Sequence, residues 1–388
     1  MKKYLILLAS FALVGSVQAQ DTQALQDQID NIYDTIAKDV ANRWKWKGDI
    51  RFRNEEIDQQ FSPDRNRNRI RVRMGATAII NDNAKAEVAF TTTENGDARS
   101  GNQTLSDVNS KKSFDLDLAY VEYNLSPEAK LVVGKQKYPW FKTSSYFFDN
   151  DVNPEGASLA YNHTSGLFAN MSLNDLSERS AFTDSTMMEY QVGYRGKVNA
   201  DTSYVLAYGY FDHRAVQGYS VIQSVGGGFF GNTTKTTGCL GGATTCLVND
   251  YDVQNLSAEL TTRFLDRPLV VFADYAKNKK ATLYNTAKSY GFTLGKASLP
   301  GSYEIGYVYQ KTGKDALFAQ FVDSDFAGGN TDGKGHVIKG AYQLAKNYKL
   351  NATYFINKTN NDVATTVNGL SIKDRDYKRL QLDLNYTF

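Results

Sequence analysis

Arginine occupies every second position from Arg65 to Arg73: Arg65, Arg67, Arg69, Arg71 and Arg73. From Ile70 onward the positions between and after them are apolar: Ile70, Val72, Met74, Ala76, Ala78 and Ile80. A period of two sets the guanidinium groups on one face of a strand and the apolar side chains on the other. Arginine keeps its proton in proteins. Such a row therefore acts on anions by field and hydrogen bonding rather than by acid–base or nucleophilic chemistry. Residues 44–56 repeat the pattern. Trp44, Trp46, Ile50 and Phe52 share one face, and Lys45, Lys47, Asp49, Arg51, Arg53 and Glu55 share the other. Other reactive types are sparse. The three histidines, His163, His213 and His336, fall at turns or strand ends, and none has a serine partner in a recognisable nucleophile motif. Cys239 and Cys246 flank "LGGATT" and lack metal-ligand spacing; in an oxidising compartment a bridge between them would staple one small loop. No nucleotide motif is present, so neither a cofactor nor an enzyme is expected.

The elements that must carry these rows can be read along the chain. "MKKYLILLASFALVGSVQAQ" has a basic start, an apolar stretch from Tyr4 to Val14 and the small-residue site Val17-Gln18-Ala19, which is the pattern of a signal peptide cut after Ala19. Residues 20–43 form a second segment. Within 21–40, Leu25, Ile29, Ile32 and Ile36 give an a/d seam on one helix, which suits either a short periplasmic coiled coil or a helix packed on its own domain. From Trp44 to Phe388 the period is two. The strands expected are 44–56, 65–80, 83–94, 113–125, 129–138, 156–163, 166–174, 187–197, 202–213, 251–264, 268–278, 286–298, 301–312, 335–346, 347–359 and 373–388. "DALFAQFVDSDF", 315–326, also alternates, but counting it would leave an odd number of strands, so it is assigned to a long loop.

Connections between these strands alternate short and long. The short ones include "ND", "SPE", "TS" and "LDR"; the long ones include 95–112, 139–155, 175–186, 214–250 and 360–372. A membrane barrel has this order, with tight periplasmic turns on one rim and long extracellular loops on the other. Composition agrees. The 388 residues hold 25 Tyr, 21 Phe and 30 Gly but only 6 Pro, mean hydropathy is −0.46, and no apolar run after the first segment is long enough for a membrane helix. Aromatic residues near strand ends, Trp44, Trp46, Tyr138, Trp140, Tyr208, Tyr210, Tyr307, Tyr309, Tyr386 and Phe388, suit interfacial girdles. Without Lys2 and Lys3 the basic and acidic residues balance at 42 each, which argues against a dedicated nucleic-acid binder. The expected fold is all-β, a 16-stranded antiparallel transmembrane β-barrel after a short N-terminal helix.

In a barrel the arginines must face the lumen, because one arginine on the lipid face near the midplane costs about 2–4 kcal/mol. Two uses of the wall remain open: ion pairing with lumenal carboxylates such as Asp49, Glu55 and Glu87, or a constriction whose field acts on passing solutes. The second is favoured, because basic residues outnumber acidic ones on these strands. The loop "YPWFKTSSYFFDNDVNPEG", 138–156, is too aromatic for an outer surface. Folded inward, it would bring Asp149, Asp151 and Glu155 to the wall. The loop 214–250, with Phe229 and Phe230, is the candidate to cover the mouth or to bind something outside.

Taken together, "VVGKQKYPW…NPEGASLAY" (132–161) and the terminal "RLQLDLNYTF" resemble the Gram-negative general porins, in particular the group labelled "putative porin". The resemblance implies a passive outer-membrane channel for small hydrophilic solutes. It carries Arg51, Arg53, Arg69, Arg71 and Arg73 over as the basic wall, and Asp149, Asp151 and Glu155 as acids of the constriction loop. It also implies a homotrimer in outer-membrane lipid, and a C-terminal Phe388 read by the barrel assembly machinery. The wall argues for weak anion preference. Barrel enzymes, plugged active transporters and purely adhesive barrels fit less well.

Overall fold

A computed structural model of the chain describes residues 19–220 and 228–388. The expected export signal lies outside the described residues except for Ala19, which opens the helix α1, Ala19–Arg43. Sixteen long strands follow. They are β1 Trp44–Gln59, β2 Arg65–Asn81, β3 Ala84–Thr92, β4 Phe114–Asn124, β5 Ala129–Lys135, β6 Glu155–Asn162, β7 Leu167–Ser177 and β8 Ser185–Lys197. The second half comprises β9 Ser203–Arg214, β10 Tyr251–Phe264, β11 Arg267–Asn278, β12 Thr286–Gly295, β13 Tyr303–Thr312, β14 Gly333–Ala345, β15 Tyr348–Thr359 and β16 Arg375–Thr387.

Each long strand pairs antiparallel with its neighbours in sequence, and β1 pairs with β16. Reciprocal bonds between Gly48 and Phe388, at 2.9 and 3.0 Å, finish the seam. The sheet therefore has no free edge, as a bilayer demands. The strands alternate as the sequence does. Ile50, Phe52, Met74, Val121, Leu206 and Leu382 are exposed on the outer face, which is the face that meets lipid. Tyr348 stacks beside Tyr386 (4.8 Å between centroids) near the short-turn rim, and Tyr290 beside Tyr309 (5.2 Å) further up.

All expected strands are present, with shifted ends. Strand β5 stops at Lys135 rather than 138 because the chain turns inward there. Tyr138 and Trp140 consequently leave the expected outer girdle and lie inside the barrel. Strand β1 runs on to Gln59 and β8 begins at Ser185. Residues 315–326 form no strand; they belong to a buried loop with a 3₁₀ turn at Ala319–Phe321. Helix α1 is exposed along its described side chains, including Leu25 and Ile32, apart from the half-buried Ile29, while the side chain of Ile36 lies outside the described residues.

Candidate pore constriction

Register alone would make the wall unstable. Arg51 stands opposite Arg71, and Arg53 opposite Arg69, across β1 and β2. Like charges directly opposite each other destabilise a sheet. Carboxylates from three directions compensate. On the same two strands, Asp49 takes Arg71 and Arg73, each at 2.7 Å, and Glu55 binds Arg67. From β16, Asp383 binds Arg53 at 2.6 Å and lies 3.9 Å from Arg51, and Arg379 joins Glu55. From the loop L7 (313–332), Asp325 reaches Arg379 at 2.7 Å and Arg53 at 3.3 Å. Burial works to raise the Asp325 carboxyl, but Arg379 and Arg53 outweigh it and hold it well below the ordinary carboxylate range. Glu87 pairs with Lys47 at 2.6 Å. The wall is thus a neutralised network as well as a basic surface.

The loop L3 (136–154) folds into the barrel and is held there by specific bonds. Gln191 of β8 clamps the Phe141 backbone, accepting its N–H at 2.7 Å and donating to its carbonyl at 2.8 Å. The Thr143 hydroxyl donates to Asp274 of β11. Trp140 and Phe148 pack edge-on (5.5 Å) and both meet Phe211 of β9, at 5.1 and 4.8 Å. L7 enters from the other side and adds Phe318 and Phe321 to the same cluster, with Tyr251 of β10 and Met187 of β8. Three hydrogen bonds join the two loops: Asp149 N–H to the Phe321 carbonyl (2.7 Å), Ser324 N–H to the Asp149 carboxylate (2.9 Å) and Asp323 N–H to the Tyr146 carbonyl (3.3 Å). Burial pushes the Asp149 carboxyl well above its ordinary range, with the Asp323 and Asp151 charges adding. Burial and the Asp325 charge push Asp323 up to about 6.

The three expected loop acids are therefore separated. Only Asp151 meets the wall, 3.6 Å from Arg73. Asp149 is turned into the junction between L3 and L7, where its carboxylate accepts backbone N–H groups. Glu155 opens β6, largely exposed, and pairs with Lys135 at 2.6 Å. A carboxylate takes the nearest donors, and at both positions these are not the arginines. The acids that do face the wall from elsewhere, Asp325 and Asp383, were not singled out from sequence, and neither was Arg379. Strand alternation marks Arg379 and Asp383 as one face of the last strand. Nothing local marks Asp325, which arrives by a loop.

Access to the lumen differs around its circumference. Ala276, Met187 and Phe211 are completely buried. The side chains of Arg73, Asp151 and Arg51 retain 33, 22 and 12 % exposure. Among the described residues no group of His, Cys, Asp and Glu is placed to hold a metal ion. His163 lies 2.8 Å from Ser165, but the same ring nitrogen faces the Ser165 backbone N–H at 3.1 Å, which makes it part of an exposed turn. Cys239 and Cys246 are disulfide-bonded, with Cα atoms 5.6 Å apart.

Comparison with known proteins places this architecture. The family described as "Putative porin" matches residues 49–263 and 245–388. Among solved structures, OprB of Pseudomonas putida aligns with TM-score 0.58 at 12% identity, covering 91% of this chain and 96% of that one. OmpF of Salmonella typhi, solved in complex with daunomycin, aligns with TM-score 0.51 at 12% identity, over 89% and 97%. No curated protein matches the chain. With the family matched along nearly all of the barrel and the strands closed as in these structures, the chain belongs to the "Putative porin" family and is a porin of the Gram-negative outer membrane.

Proposed function

We propose that the barrel is a passive channel for small hydrophilic solutes and ions, narrowed where L3 and L7 approach the arginine wall. The observation that carries this reading is the uneven access to the lumen. Aromatic packing closes the side next to β8–β12, and polar groups stay accessible beside Arg51, Arg73 and Asp151. A solute would therefore pass along charged side chains. Neutralisation of the wall by Asp49, Glu55, Asp325 and Asp383 leaves a weak anion preference, because Arg73 is the most exposed of these charges.

A homotrimer fits the same reading. Leu25, Ile29 and Ile32 continue a seam along a helix that the barrel leaves exposed, and isoleucine at both a and d positions favours more than two strands. The export signal, the periplasmic place of α1 and the recognition of Phe388 by the assembly machinery belong to this proposal.

Single-channel conductance in a planar bilayer, with reversal potential under a salt gradient, tests it. Stable ohmic steps with an anionic reversal potential, weakened in Arg71→Ala and Arg73→Ala, are expected. A folded barrel that passes no current would remove the channel reading.

A further inference from the structure

Above the wall, toward the long loops, lies a cavity of about 410 Å³. Arg65, Arg67, Arg69, Arg99 and Arg379 all line it. Three of these, Arg69, Arg99 and Arg379, are more than nine-tenths buried. In each of the three the Nε–H has no hydrogen-bond partner among the described residues. Buried donors are normally satisfied, and a buried guanidinium without a counter-ion is costly. Of the three, Arg99 lacks a counter-ion within reach among the described residues, and the excess of guanidinium groups around this cavity favours an anion inside it.

Arg99 is the clearest case. It comes from the loop L2 (93–113) and donates to the Gly329 carbonyl at 2.8 Å, with weaker contacts to the carbonyls of Ala319 and Val322. Its guanidinium lies 3.4 Å from the centre of the Phe230 ring. Among the described residues no carboxylate stands within 4.0 Å of it to form an ion pair. The acids that line the cavity are engaged elsewhere. Asp325 is held by Arg53, Arg379 and Gln381. Glu94 accepts from Arg69 and from the Thr104 hydroxyl. Asp97 accepts the Arg99 backbone N–H at 3.0 Å. Positive charge is in excess, and Phe230 and Tyr377 add apolar ring surface to the lining.

We propose that this cavity is a binding site for a small organic carboxylate, which would pair with Arg99 and Arg69 and lay its apolar body against Phe230 and Tyr377. Guanidinium groups match the planar carboxylate with paired N–H donors. The two rings favour an organic anion over a fully hydrated inorganic one. For its purpose the site rests on the channel reading, since it would load anionic solute at the loop end of the same lumen. Its existence does not depend on conduction.

Titration calorimetry on the purified full chain in detergent, at low salt and pH 7, tests the site with benzoate, benzamide and inorganic phosphate. Benzoate is expected to bind at least about tenfold more tightly than benzamide, its uncharged counterpart of similar size, and more tightly than phosphate. Arg99→Gln should weaken benzoate about tenfold. Arg65→Gln, at an exposed rim position, tests the site even if Arg99→Gln does not assemble, and should weaken benzoate about two- to fivefold. Equal binding of benzoate and benzamide, tighter binding of phosphate, or wild-type benzoate affinity in every variant that folds would overturn the proposal. Conductance measured on the same preparation separates the two readings. Conduction without benzoate binding removes the site alone, and benzoate binding without conduction removes the channel alone.

Discussion

The two sides of the lumen solve the same problem by opposite means. Next to β8–β12 the inward loops bring Trp140, Phe148, Phe318 and Phe321 against Phe211 and Tyr251, and the space is filled with rings. Next to β1, β2 and β16 the wall brings Arg51, Arg53, Arg69, Arg71 and Arg379 together, and the space is filled with charge matched by Asp49, Glu55, Asp325 and Asp383. Apolar packing gains most when water is fully excluded. The charged side is also buried at Arg53, Arg69, Arg71 and Arg379, but Arg73, Asp151 and Arg51 keep partial exposure. On the proposed reading the difference decides where a solute can go: the ring side is a scaffold for the loops, and the charged side keeps a way through.

The largest expected effect lies on the charged side. Glu55 is fully buried and holds Arg67 and Arg379, with Arg69 at 4.0 Å. Glu55→Gln leaves those guanidiniums short of a counter-charge and should cost about 3–5 kcal/mol, read as a lowered unfolding temperature of the barrel. The ring side should respond differently. Trp140→Ala should cost about 3 kcal/mol and, by loosening L3, raise single-channel conductance, whereas the charge change should alter selectivity more than conductance. If the two variants cannot be told apart in conductance and selectivity, the contrast between the sides is wrong.

A smaller effect concerns the junction that couples the two inward loops. Burial holds Asp323 at about 6 against an ordinary 3.8, with Asp149 raised in the same sense. Between those two values the closed junction binds more protons than an open one, so its stability falls as pH rises from 4 to 6 and is not regained above. The pairing of Asp325 acts the other way, but only at more acidic pH, where its lowered carboxyl would protonate. Lys339, which faces Asp323 and lies 4.7 Å over the Tyr146 ring, opposes the rise without reversing it. Currents at pH 5 should therefore be smaller and quieter than at pH 7.5, by about twofold or less, and Asp323→Asn should flatten that dependence. An increase in current on acidification would contradict the junction. The smallest effect belongs to the loop staple. Replacing Cys239 and Cys246 by serine frees one local loop that meets the ring side only through neighbours such as Leu247, worth about 2–3 kcal/mol to that loop at most. Conductance in the double variant should stay within about a tenth of wild type.

The parts of this account that sequence made legible follow from period and length. Alternation in "RNRNRIRVRMGATAII" assigns both faces of β2, because a one-residue slip would carry five arginines into lipid. Long and short connections gave the strand order, and parity placed 315–326 in a loop. Less legible was everything that depends on how loops return to the lumen. "FFDNDVNPEG" carries three acids within a few residues, yet backbone donors took Asp149 and Lys135 took Glu155. Asp325 reaches Arg53 across 272 positions of sequence, and no local pattern encodes such a contact. Tyr138 and Trp140 read as girdle residues because aromatic type does not distinguish lipid headgroups from a packed loop.

The most direct test of a one-sided passage is cysteine accessibility during conduction. Single replacements Arg73→Cys and Ala276→Cys place a thiol on the charged side and on the ring side, and the native cysteines are already bridged. A charged methanethiosulfonate reagent added to a bilayer holding each variant should reduce the current through Arg73→Cys and leave Ala276→Cys untouched. Rapid block of Ala276→Cys with no effect at Arg73→Cys would put the passage through the rings and contradict the account.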